Sequence, residues 1–87
     1  MDEQTLIAIV RRHHDVYREV QARETELRFR FSDEDRQRTP PWTMLGRERF
    51  AEEEAELWLA LDEGRLQREE ALTRMSELMA RYYAERQ

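Results

Sequence analysis

Residues 9–20 read IVRRHHDVYREV, two adjacent histidines flanked by arginines and an aspartate inside an otherwise apolar-striped segment. Extended in both directions, the stretch joins a series in which Leu6, Val10, His13, Tyr17, Val20, Glu24, Leu27 and Phe31 recur at alternating spacings of four and three. That is the a/d spacing of a coiled-coil seam, and Ile9 and Val16 widen it on one side. The spacing predicts one long helix over about residues 3–31, with His13 on the seam and His14 beside it, facing outward.

Beyond Phe31 the pattern breaks. Residues 32–43, SDEDRQRTPPWT, carry the acidic cluster Asp33, Glu34 and Asp35 and the pair Pro40-Pro41, and read as a loop whose one large apolar group is Trp42. A second helix is expected over about residues 44–63, with Thr43 as N-cap and Gly64 as stop. Phe50, Ala51, Ala55, Trp58, Leu57 and Leu61 share one broad face of it; Glu48, Glu52, Glu53 and Glu56 lie opposite, and Glu54 falls in the middle of the apolar face. A third helix over about 67–85 has the cleanest stripe, Ala71, Leu72, Met75, Leu78, Met79, Tyr82 and Tyr83. The short DEGRLQ connection predicts that helices two and three form an antiparallel hairpin, with Leu66 packing over its corner.

The expected fold class is therefore all-α, a single domain of three helices in which a long N-terminal helix packs against a helical hairpin. Length adds an argument. A helix of about 28 residues is roughly 42 Å long, and hairpin helices of about 20 residues are roughly 30 Å, so part of the first helix's seam is expected to overhang and await a partner.

Composition bounds the function. At 87 residues the chain is near the size where one core leaves a small net stability and association often helps. It has no cysteine, which excludes disulfides, thiolate metal sites and a cysteine nucleophile. All fifteen basic residues are arginine, a bias that suits a GC-rich bacterial or phage genome as readily as it suits anion recognition. Twenty acidic residues outweigh them to a net charge of −5, and this argues against a dedicated nucleic-acid binder. The apolar run Leu6 to Val10 is too short for a signal-peptide core or a membrane span, so a cytoplasmic location is expected.

No constellation carries chemistry. Adjacent histidines point about 100° apart on a helix and do not chelate one ion, so His13 reads as a seam residue and no metal or other cofactor is expected. A calcium loop aligned on Gly64 puts Leu59 and Leu61 at its first and third ligand positions, where no oxygen is available. RFRFSDEDRQR interleaves Phe29 and Phe31 with Arg28, Arg30, Arg36 and Arg38, as a single-strand groove requires, but its acidic residues nearly balance the charge. The polar seam positions His13 and Glu24, with Glu54, are expected to satisfy one another or an arginine and to fix partner choice, so that leucine at position 24 would stabilise the chain and loosen its oligomeric state.

Two resemblances follow from these residues. LDEGRLQREEALTRM is similar over about twenty residues to the short C-terminal helical hairpin modules of many bacterial proteins, departing at Gln67 where those have Ser or Thr. The outline of one long and two shorter helices resembles the all-helical chorismate mutases, which implies an intertwined dimer and an arginine-lined dicarboxylate site at Arg11, Arg28, Arg38 and Glu52; that family's Arg-x-x-Ile-Asp opening and its loop lysine are missing. The expected function is a small non-catalytic protein–protein interaction module or adaptor that works through helix–helix contacts and self-associates. Its partner-binding residues are Leu6, Val10, His13, Tyr17, Val20 and Glu24 on the seam and Trp42 in the loop. The alternatives are an anionic-ligand binder or enzyme with an arginine-lined dimer cleft, and a weak single-strand binder.

Overall fold

The computed structural model describes residues 2–38 and 50–85. Within them the chain is all-α: α1 (Glu3–Arg12), α2 (His14–Phe29), a short α3 (Asp33–Arg38), α4 (Phe50–Asp62) and α5 (Arg68–Ala84). Trp42 and Thr43, and the expected first turns of the second helix, lie outside the described residues.

The expected single helix over residues 3–31 is two helices. At His13 the backbone takes φ −116° and ψ 46°, outside the helical region, and its N–H is shared between the Ile9 and Val10 carbonyls. His13 thus closes α1 and opens α2. Asp2 caps the start of α1 by accepting a 2.7 Å hydrogen bond from the Thr5 N–H.

The break decides the packing. α1 follows α4, with Leu6 beside Ala51 and Ala55 at one end and Arg12 and His13 at Asp62 at the other. α2 follows α5, with Asp15 at Arg68, Arg23 at Ser76 and Glu24 at Tyr83. α4 and α5 are antiparallel, since the Phe50 ring meets Tyr82 and Glu53 pairs with Arg81 while their other ends join through residues 63–67. The chain therefore swings from one hairpin helix to the other at His13. Among the described residues the expected overhang is not seen: at the far end Phe31 still stands edge-on to Tyr83, with ring centroids 5.4 Å apart.

The residues expected to pair with another copy are largely spent inside this chain. Leu6, Val10 and Val20 are buried together with Ile9 and Val16, while Tyr17, Leu27 and Phe31 are half-buried against the same core. The hairpin supplies Phe50, Trp58, Leu61 and the whole expected stripe of α5 from Ala71 to Tyr83. A run of edge-to-face aromatics, Phe50 to Tyr82 to Tyr83 to Phe31, ties α4, α5 and the end of α2 together.

Residues 33–38, read as loop, form α3. The acidic cluster starts this helix, because carboxylates in a first turn face the positive end of the helix dipole. The Ser32 hydroxyl accepts from the Asp35 N–H at 3.2 Å, which completes the cap.

The hairpin corner closes as a Schellman motif. The Arg65 N–H reaches back to the Ala60 carbonyl at 2.8 Å and the Gly64 N–H to the Leu61 carbonyl at 3.2 Å, with Gly64 at φ +79°. A Cβ on Gly64 would meet no atom within 4 Å, so only the backbone conformation opposes a side chain there. Gly64→Ala should therefore cost about 1 kcal/mol and lower the Tm by roughly 5 °C, read by thermal denaturation followed by circular dichroism. An unchanged Tm would show that the corner does not hold this conformation in solution.

Candidate functional site

Three polar clusters and a groove between α1 and α4 stand out among the described residues, and a second groove of about 540 Å³, lined by Leu57, Leu78, Arg74 and Arg81, lies between α4 and α5. The first cluster pins the helix break. Arg12 grips Asp62 with Nε at 3.0 Å from Oδ1 and Nη2 at 2.8 Å from Oδ2, and Nε2 of His13 lies 3.0 Å from Oδ1. Arg12 first, then His13, hold the Asp62 carboxyl down at about 2. An ionised carboxylate only accepts, so the Nε2 nitrogen of His13 carries the proton in this contact. Asp62 favours folding above its ordinary range near 3.8, and that contribution is lost as pH falls through about 2.

The second cluster joins the end of α2 to α5. The Tyr83 hydroxyl, in a residue 1% exposed, donates to Glu24 Oε1 at 2.7 Å. Arg28 lies 3.8 Å from the same carboxylate, reaches the Tyr83 oxygen at 3.4 Å and donates to the Arg36 carbonyl at 3.0 Å. Arg36 in turn pairs with Asp33 and stacks over the ring of Phe29, which is 71% exposed. Arg28 and Arg36, two of the arginines set out for anion or nucleic-acid binding, are thus engaged within the chain.

The third cluster is Glu54, 2% exposed on the core face of α4. Its Oε1 receives one long hydrogen bond, 3.5 Å, from the Trp58 indole, and its Oε2 has no partner. Burial pushes the carboxyl up to about 9, so it is neutral at pH 7. His13, Glu24 and Glu54 do not satisfy one another, because the break at His13 sends the first two to different hairpin helices: His13 meets Asp62, Glu24 meets Tyr83 and an arginine, Arg28, and Glu54 meets the Trp58 indole.

The groove runs between α1 and α4. Leu6, Ala51, Ala55 and Leu59 form its floor and Glu3, Glu52 and Glu56 its rim, enclosing about 580 Å³. Glu56 pairs with Arg65, whereas neither Glu3 nor Glu52 has an ion pair among the described residues. From Ala51 to Leu59 the floor spans about 12 Å, two turns of helix.

Of the sequence-predicted partner residues, the structure places Leu6 at the groove and Val10 and Val20 in the core. His13 and Glu24 are held in intramolecular pairs, and the Tyr17 hydroxyl accepts from Gln21 at 2.8 Å. Trp42 and the side chain of Arg38 lie outside the described residues, and Arg11 is exposed on α1. Sequence reasoning missed Asp62, Tyr83 and the groove floor. Ala51 and Ala55, small residues four apart on the helix α1 packs against, were the available signal for the groove. No group of three or more histidine or acidic side chains is arranged to hold a metal ion, and no helix is long and apolar enough to cross a membrane, among the described residues.

No protein-family model matches the chain, and no curated protein or solved structure matches it either.

Two predictions concern Glu54 and Glu24. The folded-state value of Glu54 lies above its ordinary 4.5, so its stabilising contribution is complete below that value and is lost as pH rises toward about 9. At pH 7 the loss is on the order of 3 kcal/mol. Glu54→Gln should flatten the decline of Tm between pH 5 and 9 and raise the neutral Tm; a wild-type Tm that is level across this window contradicts the assignment. Glu24→Leu, expected from the seam alone to stabilise, should instead destabilise by about 1 kcal/mol, because it removes the acceptor of a buried tyrosine hydroxyl. Urea unfolding of the variant decides between the two signs.

Proposed function

We propose that this chain is a small, non-catalytic protein-interaction module that works through helix-to-helix contacts, and that its docking surface is the groove between α1 and α4. The observation that carries the reading is the pairing of an open apolar floor with two carboxylates, Glu3 and Glu52, that have no ion pair among the described residues. Two helices with a shallow apolar trough between them offer a third helix the ridges and grooves it packs into, and alanines at positions 51 and 55 let its backbone come close.

This reading moves the interface away from the first seam. Leu6, Val10 and Val20 are used against the chain's own hairpin, so a partner is received on the outer surface beside them rather than along the full length of the first helix. Of the residues named for an arginine-lined cleft, Arg28 is tied to Glu24 and to a backbone carbonyl oxygen, Arg11 and Glu52 are exposed, and the Arg38 side chain lies outside the described residues.

Substitution within the floor tests the reading. Ala55→Arg fills the trough from a half-buried position at the edge of the core with a residue whose helix propensity is close to alanine's, and Thr73→Arg adds the same charge on the exposed side of α5. In affinity capture from host lysate, a protein retained by wild type and by Thr73→Arg should be lost with Ala55→Arg, while circular dichroism shows all three equally helical. Retention of the same proteins by Ala55→Arg would remove the groove as the docking surface.

A further inference from the structure

We infer that the occupant of the α1–α4 groove is a basic amphipathic helix of a partner protein, and not a second copy of this chain, a nucleic acid or an anionic membrane surface. The inference rests on the interaction-module reading and adds the partner's chemistry to it.

Charge decides among the occupants. Glu3 stands on the α1 side of the floor and Glu52 and Glu56 on the α4 side, so a ligand seated on Leu6, Ala55 and Leu59 lies between carboxylates on both flanks. Elsewhere acidic side chains are widely matched: Asp15 by Arg68, Glu19 by Arg23, Asp33 by Arg36, Glu53 by Arg81, Asp62 by Arg12 and Glu70 by Arg74. Glu3 and Glu52 have no such partner among the described residues and are exposed, so their field is available to an incoming cation. Phosphate backbones and anionic lipid headgroups are repelled by this rim. A second copy docking by its own groove in a two-fold pair would set the two acidic rims against each other.

Shape supplies the rest. Two turns of floor accommodate two or three apolar side chains at i, i+3 or i+4, and i+7 of a helix. Arginines or lysines on either side of that stripe then fall over Glu3 and over Glu52 and Glu56. The contact is small, so binding in the micromolar range with a marked dependence on salt is expected.

A defined probe tests this. Two fluorescein-labelled peptides of 18 residues share a leucine stripe at i, i+3, i+4 and i+7; one carries lysine and arginine on its flanks and the other carries glutamate at the same positions. Fluorescence anisotropy against the whole protein should show the basic peptide binding at least tenfold more tightly than the acidic one. Its affinity should fall about fivefold to tenfold in Glu3→Gln/Glu52→Gln, and further in 300 mM salt. It should be lost with Ala55→Arg and retained with Thr73→Arg. Equal binding of both peptides, lost with Ala55→Arg, would overturn the basic-partner inference and leave the groove as an interaction surface. Binding of the basic peptide that survives Ala55→Arg, or no binding of either peptide, would overturn both. Self-association in light scattering that disappears with Ala55→Arg would replace the foreign helix with a second copy.

Discussion

At His13 the helix that begins at Glu3 stops and another begins, and the position of nearly every other contact depends on that break. An unbroken helix lies along one neighbour; a broken one covers two. Because α1 follows α4 and α2 follows α5, a single bend at His13 lets the first segment cover both members of the hairpin. Asp62 holds the corner from the other side, at the end of α4 just before the Schellman turn, where it meets both Arg12 and the histidine at the break. The two corners of the molecule are thereby fastened to each other: the bend of the first segment sits on the bend of the second.

Polar groups within the packed layers fall into two kinds. Asp62, Glu24, Arg28 and Tyr83 are at the margins of the core and find partners on a facing helix, so each pair also records the register of one helix against another. Glu54 is different. It lies on the α4 face that is otherwise Phe50, Trp58 and Leu61, with one weak donor and an unpartnered oxygen, and its neutral form is the one the fold accommodates. On α4 a protonated acid is thus buried inward while Glu52, Glu53 and Glu56 are exposed outward. Glu52 and Glu56 of that outer row border the groove, so the helix that weakens the core at alkaline pH also supplies two of the groove's three acidic residues.

Much of the fold was legible in the chain. The stripe of α5 from Ala71 to Tyr83 is buried throughout, as its 3.6-residue period implied, and Gly64 ends the hairpin's first helix in the left-handed conformation that only its lack of a Cβ makes inexpensive. Glu54 was visible as a carboxylate inside an apolar face. The break at His13 was not visible, because a 3-4 spacing continues unbroken through it and histidine carries no strong helix-stopping signal. The helical state of 33–38 was hidden for the opposite reason: its acidic residues read as solvated loop, although the same residues behind a serine cap are well placed to begin a helix.

The sequence by itself determined which residues avoid water and with what local period, since side-chain hydrophobicity and helical geometry act over neighbours three and four apart. That was enough for the all-α class, the hairpin and most of the core. Only the tertiary structure decided which buried face meets which, because a seam of Leu6, Val10 and Val20 is equally suited to a second copy and to the chain's own hairpin. The choice turned on a single residue's backbone angles and on an aspartate 49 positions away from His13, an interaction that no local period encodes. The groove is a product of the same choice: α1 lies against the alanines of α4 only because the chain bends where it does.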